Sequence, residues 1–589
     1  ERGRVKRLWT VVLLVGLGLL PAGAQETWDR HFTWSTRLAE RMTAPEALSP
    51  WAGVDGEIER LVVRGELPLE AYLFRPIDRG ELAAWLCESG GRRSEDAARL
   101  GESATRLTPQ SQRSPSRTRL EDLLRWETDR WLASSSPPHP STTHRVGRPG
   151  VLIQHQEENR VGRPGVLIRH QDEDRVLLIG PYLRVRPVLR DGKEWEWTDS
   201  TRIGVRGVFY PSSSVVISVG LFVAEVNEGR SFADPLVAGT DLILHEQEVT
   251  LSARLGGLRL RLGRDRHRWG PGISGTLLLS DASEPFNFAE YQLRLGPHLR
   301  FLALTGCTSL HQERYLSAHR LTWSPDPDFS ISFSEGARYQ ANGPHLLYLA
   351  GFVPYTLVER LDLQDNLSDP TRDQQRNNVL WSLDLAWRPR TGWLCYAEIL
   401  ADDIATESSA MPTRGGYQVG MTLAQRWRDW DWTLGVEYTR VSNFTYSVYY
   451  QDLCACDWEQ QGLPVGYALG PDVASVLARC VLDPVTAWGA GAWLSCVGKG
   501  EGRIGQPWKP ASTGCCPSDP DCGEAGAWTL SGTAAWTLGT GLELHWRPAA
   551  LLQAGVWFEA VRVEHAEHAP ERSADWDSRL GLSFSLGMH

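Results

Sequence analysis

The most constraining feature of this 589-residue chain is an alternation of period two from about Arg175 to the end. In Glu248–Leu255, Val249, Leu251, Ala253 and Leu255 fall on one face. Thr250, Ser252 and Arg254 fall on the other, because successive side chains of a strand point to opposite sides. Leu258–Arg264 repeats the pattern, with three leucines opposite Arg259 and Arg261. The stretches 201–210, 215–223, 379–387, 417–427, 432–441 and 580–588 behave the same way, and breaks such as Arg190-Asp-Gly192 separate some of them. About 18 such segments occupy the last 400 or so residues.

An exported chain of this texture has two solutions, a soluble sandwich or propeller and an outer-membrane barrel. The barrel is expected for three reasons. Its strands carry apolar residues outward and polar residues inward, and here the polar face bears Arg and Glu, which a dry sandwich core would penalise. Trp323, Trp381, Trp387, Trp393, Trp427 and Trp432 lie near segment ends, where an interfacial girdle belongs. The connections also vary widely in length. One feature points the other way: the chain closes Phe584-Ser-Leu-Gly-Met-His589, without the terminal aromatic on which many such barrels end.

Composition removes other classes. Lys plus Arg is 61 against 72 Asp plus Glu, a net charge of −11, so no basic footprint for nucleic acid exists. With 42% hydrophobic and 23% charged residues the chain is neither globally disordered nor a bundle of membrane helices. A barrel needs only every second strand residue apolar, so a mean hydropathy of −0.31 is compatible with it. The 26 Trp outnumber both 15 Tyr and 14 Phe, which suits a membrane belt or sugar-stacking platforms.

Arg2, Arg4, Lys6 and Arg7, the apolar run 8–20 and Ala22-Gly-Ala24 read as a secretory signal over 1–24, with a signal anchor as the alternative. Residues 25–131 read as a helical periplasmic segment, with helices near 54–64, after the Asp78/Glu81 capping box (82–88), and near 119–131. That segment is expected to plug the lower opening or to contact export machinery. Residues 132–174 read as a linker, in which the 15 residues from Arg145 repeat almost unchanged from Arg160, and 175–589 as the barrel. Export permits disulfides, and Cys454, Cys456, Cys480, Cys496, Cys515, Cys516 and Cys522 are expected to staple loops. A zinc site is the alternative, but neither Cys454-Ala-Cys456 nor Cys515-Cys516 has the usual ligand spacing, so no metal and no cofactor is expected.

The densest motif is Leu262-Gly-Arg-Asp-Arg-His-Arg-Trp-Gly-Pro-Gly272, followed by Leu277-Leu-Leu-Ser280. Then come Ala318-His-Arg-Leu-Thr-Trp323, Ser334-Glu335, Tyr396-Ala-Glu-Ile-Leu-Ala-Asp-Asp403, Glu437-Tyr-Thr-Arg440 and Gly466-Tyr-Ala-Leu-Gly-Pro-Asp472. With Arg75-Pro-Ile-Asp-Arg-Gly-Glu81 ahead of them, this order resembles the Wzi-type capsule-assembly family of bacterial outer-membrane proteins, over nearly the whole mature chain. The resemblance implies an 18-stranded barrel with a periplasmic helical bundle and a lectin-like role in holding capsular or other surface polysaccharide. It implies outer-membrane lipids as surroundings and the capsule-export machinery as a candidate partner. The duplication, the cysteine-rich region and the non-aromatic C-terminus depart from the family pattern.

Arg264, Arg266 and Arg268 can hold carboxylates of acidic sugars through charge-assisted hydrogen bonds. Asp265, Glu335, Glu398, Asp402, Asp403 and Glu437 can accept hydrogen bonds from sugar hydroxyls, and Trp269 offers a flat face. For any one of these residues the stronger reading is an Arg–Glu and Arg–Asp network that fixes the wall and closes the lumen. His267 beside Asp265 is the nearest approach to a catalytic pair, but no nucleophile elbow or H-E-x-x-H motif accompanies it. Asp402 and Asp403 are adjacent and point to opposite faces of a strand, so they cannot flank one glycosidic bond. A binding and assembly protein is expected rather than an enzyme, with a porin-like channel for sugars or anions as the alternative.

Overall fold

The structure is a computed structural model that describes residues 52–69, 73–75 and, apart from gaps in connecting segments, 168–587. The signal sequence, the helices expected at 82–88 and 119–131 and most of the duplication lie outside the described residues.

A helix α1 (Ala52–Val63) and a short strand β1 (Phe74–Arg75) come first. The barrel region opens with β2 (Ile168–Asp172), β3 (Arg175–Val185), β4 (Pro187–Arg190), β5 (Glu194–Trp197), β6 (Arg202–Ser212), β7 (Val215–Glu225), β8 (Leu242–Leu255) and β9 (Leu258–Asp265). It continues with β10 (Arg268–Trp269), β11 (Phe286–Arg294), β12 (Leu299–Ser309), β13 (Arg314–Asp326), β14 (Phe329–Gln340), and two helices, α2 (Leu346–Ala350) and α3 (Tyr355–Asn366). Then follow β15 (Asn377–Arg390), β16 (Trp393–Asp403), β17 (Arg414–Trp427), β18 (Trp430–Val441), β19 (Glu459–Gln460), β20 (Leu463–Pro464), β21 (Val473–Pro484), β22 (Trp488–Lys499), β23 (Ala535–Ala549), β24 (Leu552–Glu564) and β25 (Asp575–Gly587).

The sheet closes on itself as an antiparallel barrel of 18 staves, β3 and β4 forming one stave interrupted at Arg186. At the seam β25 pairs with the end of β3 (Phe584 with Val185) and with β4 (Arg579 with Arg190). β2, the tail of the duplicated segment, lines the remaining edge of β3, with Ile168 opposite Ile179. The Arg186 guanidinium stacks 4.4 Å over the Trp557 ring at this break. Short turns join the staves at one end and long connections at the other. In barrels of this class the short-turn end is periplasmic.

β18 shows why the alternation makes a membrane wall. Asp431, Thr433, Glu437 and Thr439 point inward and are buried, while Trp430, Trp432, Leu434, Val436 and Tyr438 point outward. Aromatic residues thus bracket an apolar middle, as an interfacial girdle requires. Trp323, Trp387 and Trp427 are outward and about half or more exposed, in keeping with that role. No helix among the described residues is long and apolar enough to cross a membrane.

The lumen is filled. From the short-turn end, α1 and the residues after it enter the mouth. Arg64 pairs with Asp431 at 2.7 Å, Arg60 pairs with Asp483, and Glu59 pairs with Arg479. Arg388 donates to the carbonyls of Val62 and Leu67, and Gly392 N–H donates to Val63 O. Gly392 has φ +86°, and a Cβ there would stand 2.9 Å from Ala424 O, so this turn needs glycine to meet the helix.

Candidate functional site

From the opposite end the long β9–β11 connection folds down into the lumen. β10 pairs with β1, Trp269 opposite Phe74 and Arg268 opposite Arg75, so the two inserted segments meet inside the barrel. Trp269 is 2% exposed and joins Leu277, Leu278 and Leu279 in the central apolar cluster. It therefore has no free face for a sugar ring, contrary to the expectation from sequence: the β1–β10 pairing buries it.

Two strand carboxylates pin this connection. Glu437 of β18 accepts hydrogen bonds from the backbone N–H of Ile273 and Ser274, the latter at 2.9 Å, and from Ser274 Oγ and Tyr396 Oη. Glu398 of β16 accepts from Leu277 N–H at 2.9 Å and from Ser382 Oγ at 3.2 Å. A carboxylate is well suited to this task. It has about four lone-pair positions, and a loop in a lumen has N–H groups that strands cannot satisfy.

A second connection, β18–β21, covers the first. Asp402, inward on β16, accepts from Tyr446 N–H at 2.7 Å. Tyr446 Oη donates to Leu277 O, and Trp458 Nε1 donates to Leu278 O. Asp403 follows across a register shift in the β16–β17 ladder, and buried Arg414 pairs with both carboxylates, reaching Asp402 at 3.8 Å. Among loop groups outside the staves, burial pushes the Asp457 carboxyl up to about 6, although it accepts from Val448 N–H.

The arginine-rich motif divides between faces. Asp265 accepts from Arg261 at 2.8 Å, and Arg261 also reaches Glu290. His267 is buried, edge-on to Phe288 with ring centroids 4.4 Å apart, and its Nδ1 lies 3.4 Å from Glu290. Arg268 donates to Gly272 O, so it serves the loop's own backbone. Arg266 reaches Glu284 at 3.5 Å, and Arg264 shares the outward face of Leu260 and Leu262.

Glu335 is displaced from its expected place. Its neighbours Ser334 and Gly336 face the lumen, so Glu335 faces outward with Ile331 and Phe333. It is nevertheless 1% exposed, because α2 and α3 lie over it on the outer wall. It accepts from Tyr355 N–H at 2.7 Å, Thr356 N–H at 2.9 Å and Trp381 Nε1 at 2.9 Å. His319 Nε2 lies 3.3 Å away. Glu335 thus caps a helix outside the barrel and belongs to no lumen site. The alternation of β14 carried this signal.

The cysteines also separate. Cys456 is disulfide-bonded, whereas Cys480 and Cys496 are free thiols on β21 and β22, against the expectation of stapling. They are wall residues, held in the ladder opposite Leu434 and Val476, away from the loops. Cys454, Cys515, Cys516 and Cys522 lie outside the described residues. Residues missed by sequence reasoning include the Arg320–Asp384 pair, 1% exposed on both sides, and Asp472, which accepts from Gly502 N–H and Ser531. Arg320 stood inside a quoted motif, but nothing in sequence marked Asp384 as its partner.

A closed barrel with an apolar, aromatic-edged wall and a filled lumen defines a bacterial outer-membrane protein. Within that class, residues 247–482 match the model of the family described as capsule assembly protein Wzi. The match runs from β8 into β21 and contains both lumen connections. Among solved structures, the chain is similar to Wzi of Escherichia coli, described as a carbohydrate-binding β-barrel involved in group 1 capsule assembly. Identity is 15%, coverage is 68% of this chain and 83% of that one, and the TM-score is 0.45. It is also similar to OprD of Pseudomonas aeruginosa, at 11% identity, 70% and 95% coverage and a TM-score of 0.36. A third is OccK2 (OpdF) of the same organism in complex with glucuronate, at 11% identity, 70% and 98% coverage and 0.36. No curated protein matches.

Proposed function

We propose that this protein is an outer-membrane capsule-assembly protein that holds or organises polysaccharide at the cell surface and has no catalytic role. The observation that carries this reading is the family match over 247–482, which falls on the segments that fill the lumen. A barrel so closed serves a surface anchor better than a pore. Glu398, Glu437, Asp402, Asp265 and His267 are committed to internal partners, and Trp269 is buried. Saccharide contact then falls to groups that keep accessible surface beside an internal partner, Arg266 (paired with Glu284) and Asp403 (paired with Arg414) from the sequence set, whose side chains are 17% and 31% exposed. Paired charge-assisted hydrogen bonds to sugar carboxylates suit the arginine. The N-terminal helix faces the periplasm, where it closes the mouth and is positioned to meet export machinery.

The test is deletion of the gene in an encapsulated strain, with purified protein assayed on immobilised capsular polysaccharide. Polysaccharide should be released into the medium instead of retained on cells, and the purified protein should be retained by the polysaccharide. Normal cell-bound capsule together with no retention would refute the reading.

A further inference from the structure

The feature that capsule assembly leaves unused is the β14–β15 connection. Barrel connections normally rise into water or fold into the lumen, but this one turns outward and lies flat on the wall. α2 and α3 cover outward residues of β12, β13 and β14. Phe352 stacks on Phe301 with ring centroids 5.0 Å apart and planes 13° apart. Gly351, at φ +67°, brings the backbone against the strand, since a Cβ there would stand 2.6 Å from that of Ala303. Tyr291 Oη donates to Ala350 O, and Glu335 caps α3. Tyr348, Tyr355 and Val358 form the buried underside with Ala337 and Tyr339.

The upper side is apolar. Leu346, Leu347, Leu349, Phe352, Leu357 and Leu361 are exposed, Leu346 at 76% and Phe352 at 64%. A water-facing helix pair would reverse this pattern. Its neighbours on the wall identify what covers it. Phe301, on which Phe352 sits, is in register with Leu321, then Phe333, Leu383 and Ile399. Those four outward residues are 40–56% exposed and belong to the apolar belt of the barrel. The hairpin tip therefore stands in the same row as the belt. Beneath it lie Thr305, Ser317, His319 and Glu335, polar groups that hydrocarbon could not satisfy and that the hairpin covers.

We propose that residues 345–361 form a membrane-embedded hairpin whose exposed face contacts the acyl chains of the membrane. It replaces a polar sector of the wall with an apolar one. Amphipathic helices elsewhere bury an apolar face about 5–10 Å into the acyl boundary. Here the same physics works with the barrel as the second surface. The proposal rests on the barrel spanning the membrane and is independent of saccharide binding.

The test places single nitroxide labels at Leu346, Phe352 and Leu357, on a background in which every cysteine that thiol titration finds free, Cys307, Cys395, Cys480 and Cys496 among them, is changed to Ala. The protein is reconstituted in phosphatidylethanolamine–phosphatidylglycerol vesicles, and oxygen collision is compared with that of a water-soluble nickel chelate. Reference labels sit at Phe333 in the belt and at exposed Glu571. The Phe352 label should match Phe333 and exceed Glu571 several-fold in its oxygen-to-nickel ratio. A ratio like that of Glu571 overturns the proposal, as does exclusion of both relaxants with dipolar broadening, which would put a second copy on this face. On the unaltered protein, a lipid carrying a diazirine in its acyl tail should mark residues 346–361 as it marks the β14 belt. Adducts on the belt alone would also overturn the proposal.

Discussion

The inner and outer walls of the barrel solve one problem with one device. Inside, Glu437 gathers the N–H groups of Ile273 and Ser274 from a loop that enters the lumen. Outside, Glu335 gathers those of Tyr355 and Thr356 from a hairpin that lies on the wall. In both places a strand carboxylate is buried because an irregular segment needs acceptors for consecutive backbone donors. The difference lies in what surrounds the pair. The lumen offers further polar groups, so several connections interlock there. The outer wall offers only hydrocarbon, so the hairpin must supply its own apolar cover. A carboxylate on a barrel strand thus marks where backbone is fastened more reliably than where a ligand binds.

Removing both inner fasteners should have the largest effect. Glu398→Ala with Glu437→Ala strands the N–H groups of Ile273, Ser274 and Leu277, at about 1–3 kcal/mol each. Planar-bilayer recordings should change from a silent wild type to discrete current steps. A variant as silent as wild type would show that the other connections seal the lumen alone.

Next comes the lower mouth. Asp431→Ala leaves the Arg64 guanidinium, 8% exposed in the pair, without its carboxylate, a loss of roughly 3–5 kcal/mol. Protease added from the periplasmic side should then cut near residues 64–69, while the upper connections stay protected.

The outer wall should respond separately. Glu335→Ala orphans two N–H groups and Trp381 Nε1, at about 1–3 kcal/mol each, with no water to replace the lost acceptor. Amide exchange should accelerate at residues 346–361 and stay unchanged at 270–280. Acceleration at both sites would mean that the two walls are coupled.

The smallest effect is a pH dependence. Asp457 has its carboxyl raised to about 6, against about 3.9 for an unfolded Asp. The folded loop therefore prefers the neutral acid. The penalty is absent below about pH 4, grows up to about pH 6 and is full above it. Amides of residues 442–448 should be up to about fiftyfold better protected at pH 4 than at pH 7.5, after correction for intrinsic exchange. Asp457→Asn should remove that difference.

The barrel was legible because strand geometry is periodic. The segments around 201–210 and 417–427 became β6 (202–212) and β17 (414–427) almost residue for residue. The tryptophans near segment ends face outward for the same reason. What stayed illegible was aperiodic. Nothing local to Trp269 says that Phe74 will pair with it from almost 200 residues away. Glu335 could have been placed, since Ile331 and Phe333 already fixed its face. The apolar spacing of Leu346–Leu361 was likewise present but sat in a connection, where no element was sought. Of the two roles those residues suit in sequence, Glu398 and Glu437 carry the internal one here, as acceptors for the backbone of a lumen connection.

The interruption at Arg186 has a consequence for how the molecule comes into being. Every other junction joins staves that are neighbours in the chain and can zip from a turn. The seam joins the first stave to the last, and it does so in two short pieces, Tyr182–Val185 and Val188–Arg190, instead of one long ladder. Loop-closure entropy makes such a distant pairing the last to form. Until then both edges stand open, and an open edge invites another strand. The assembly machinery would find its handle at this seam, and a growing barrel would have its one door there.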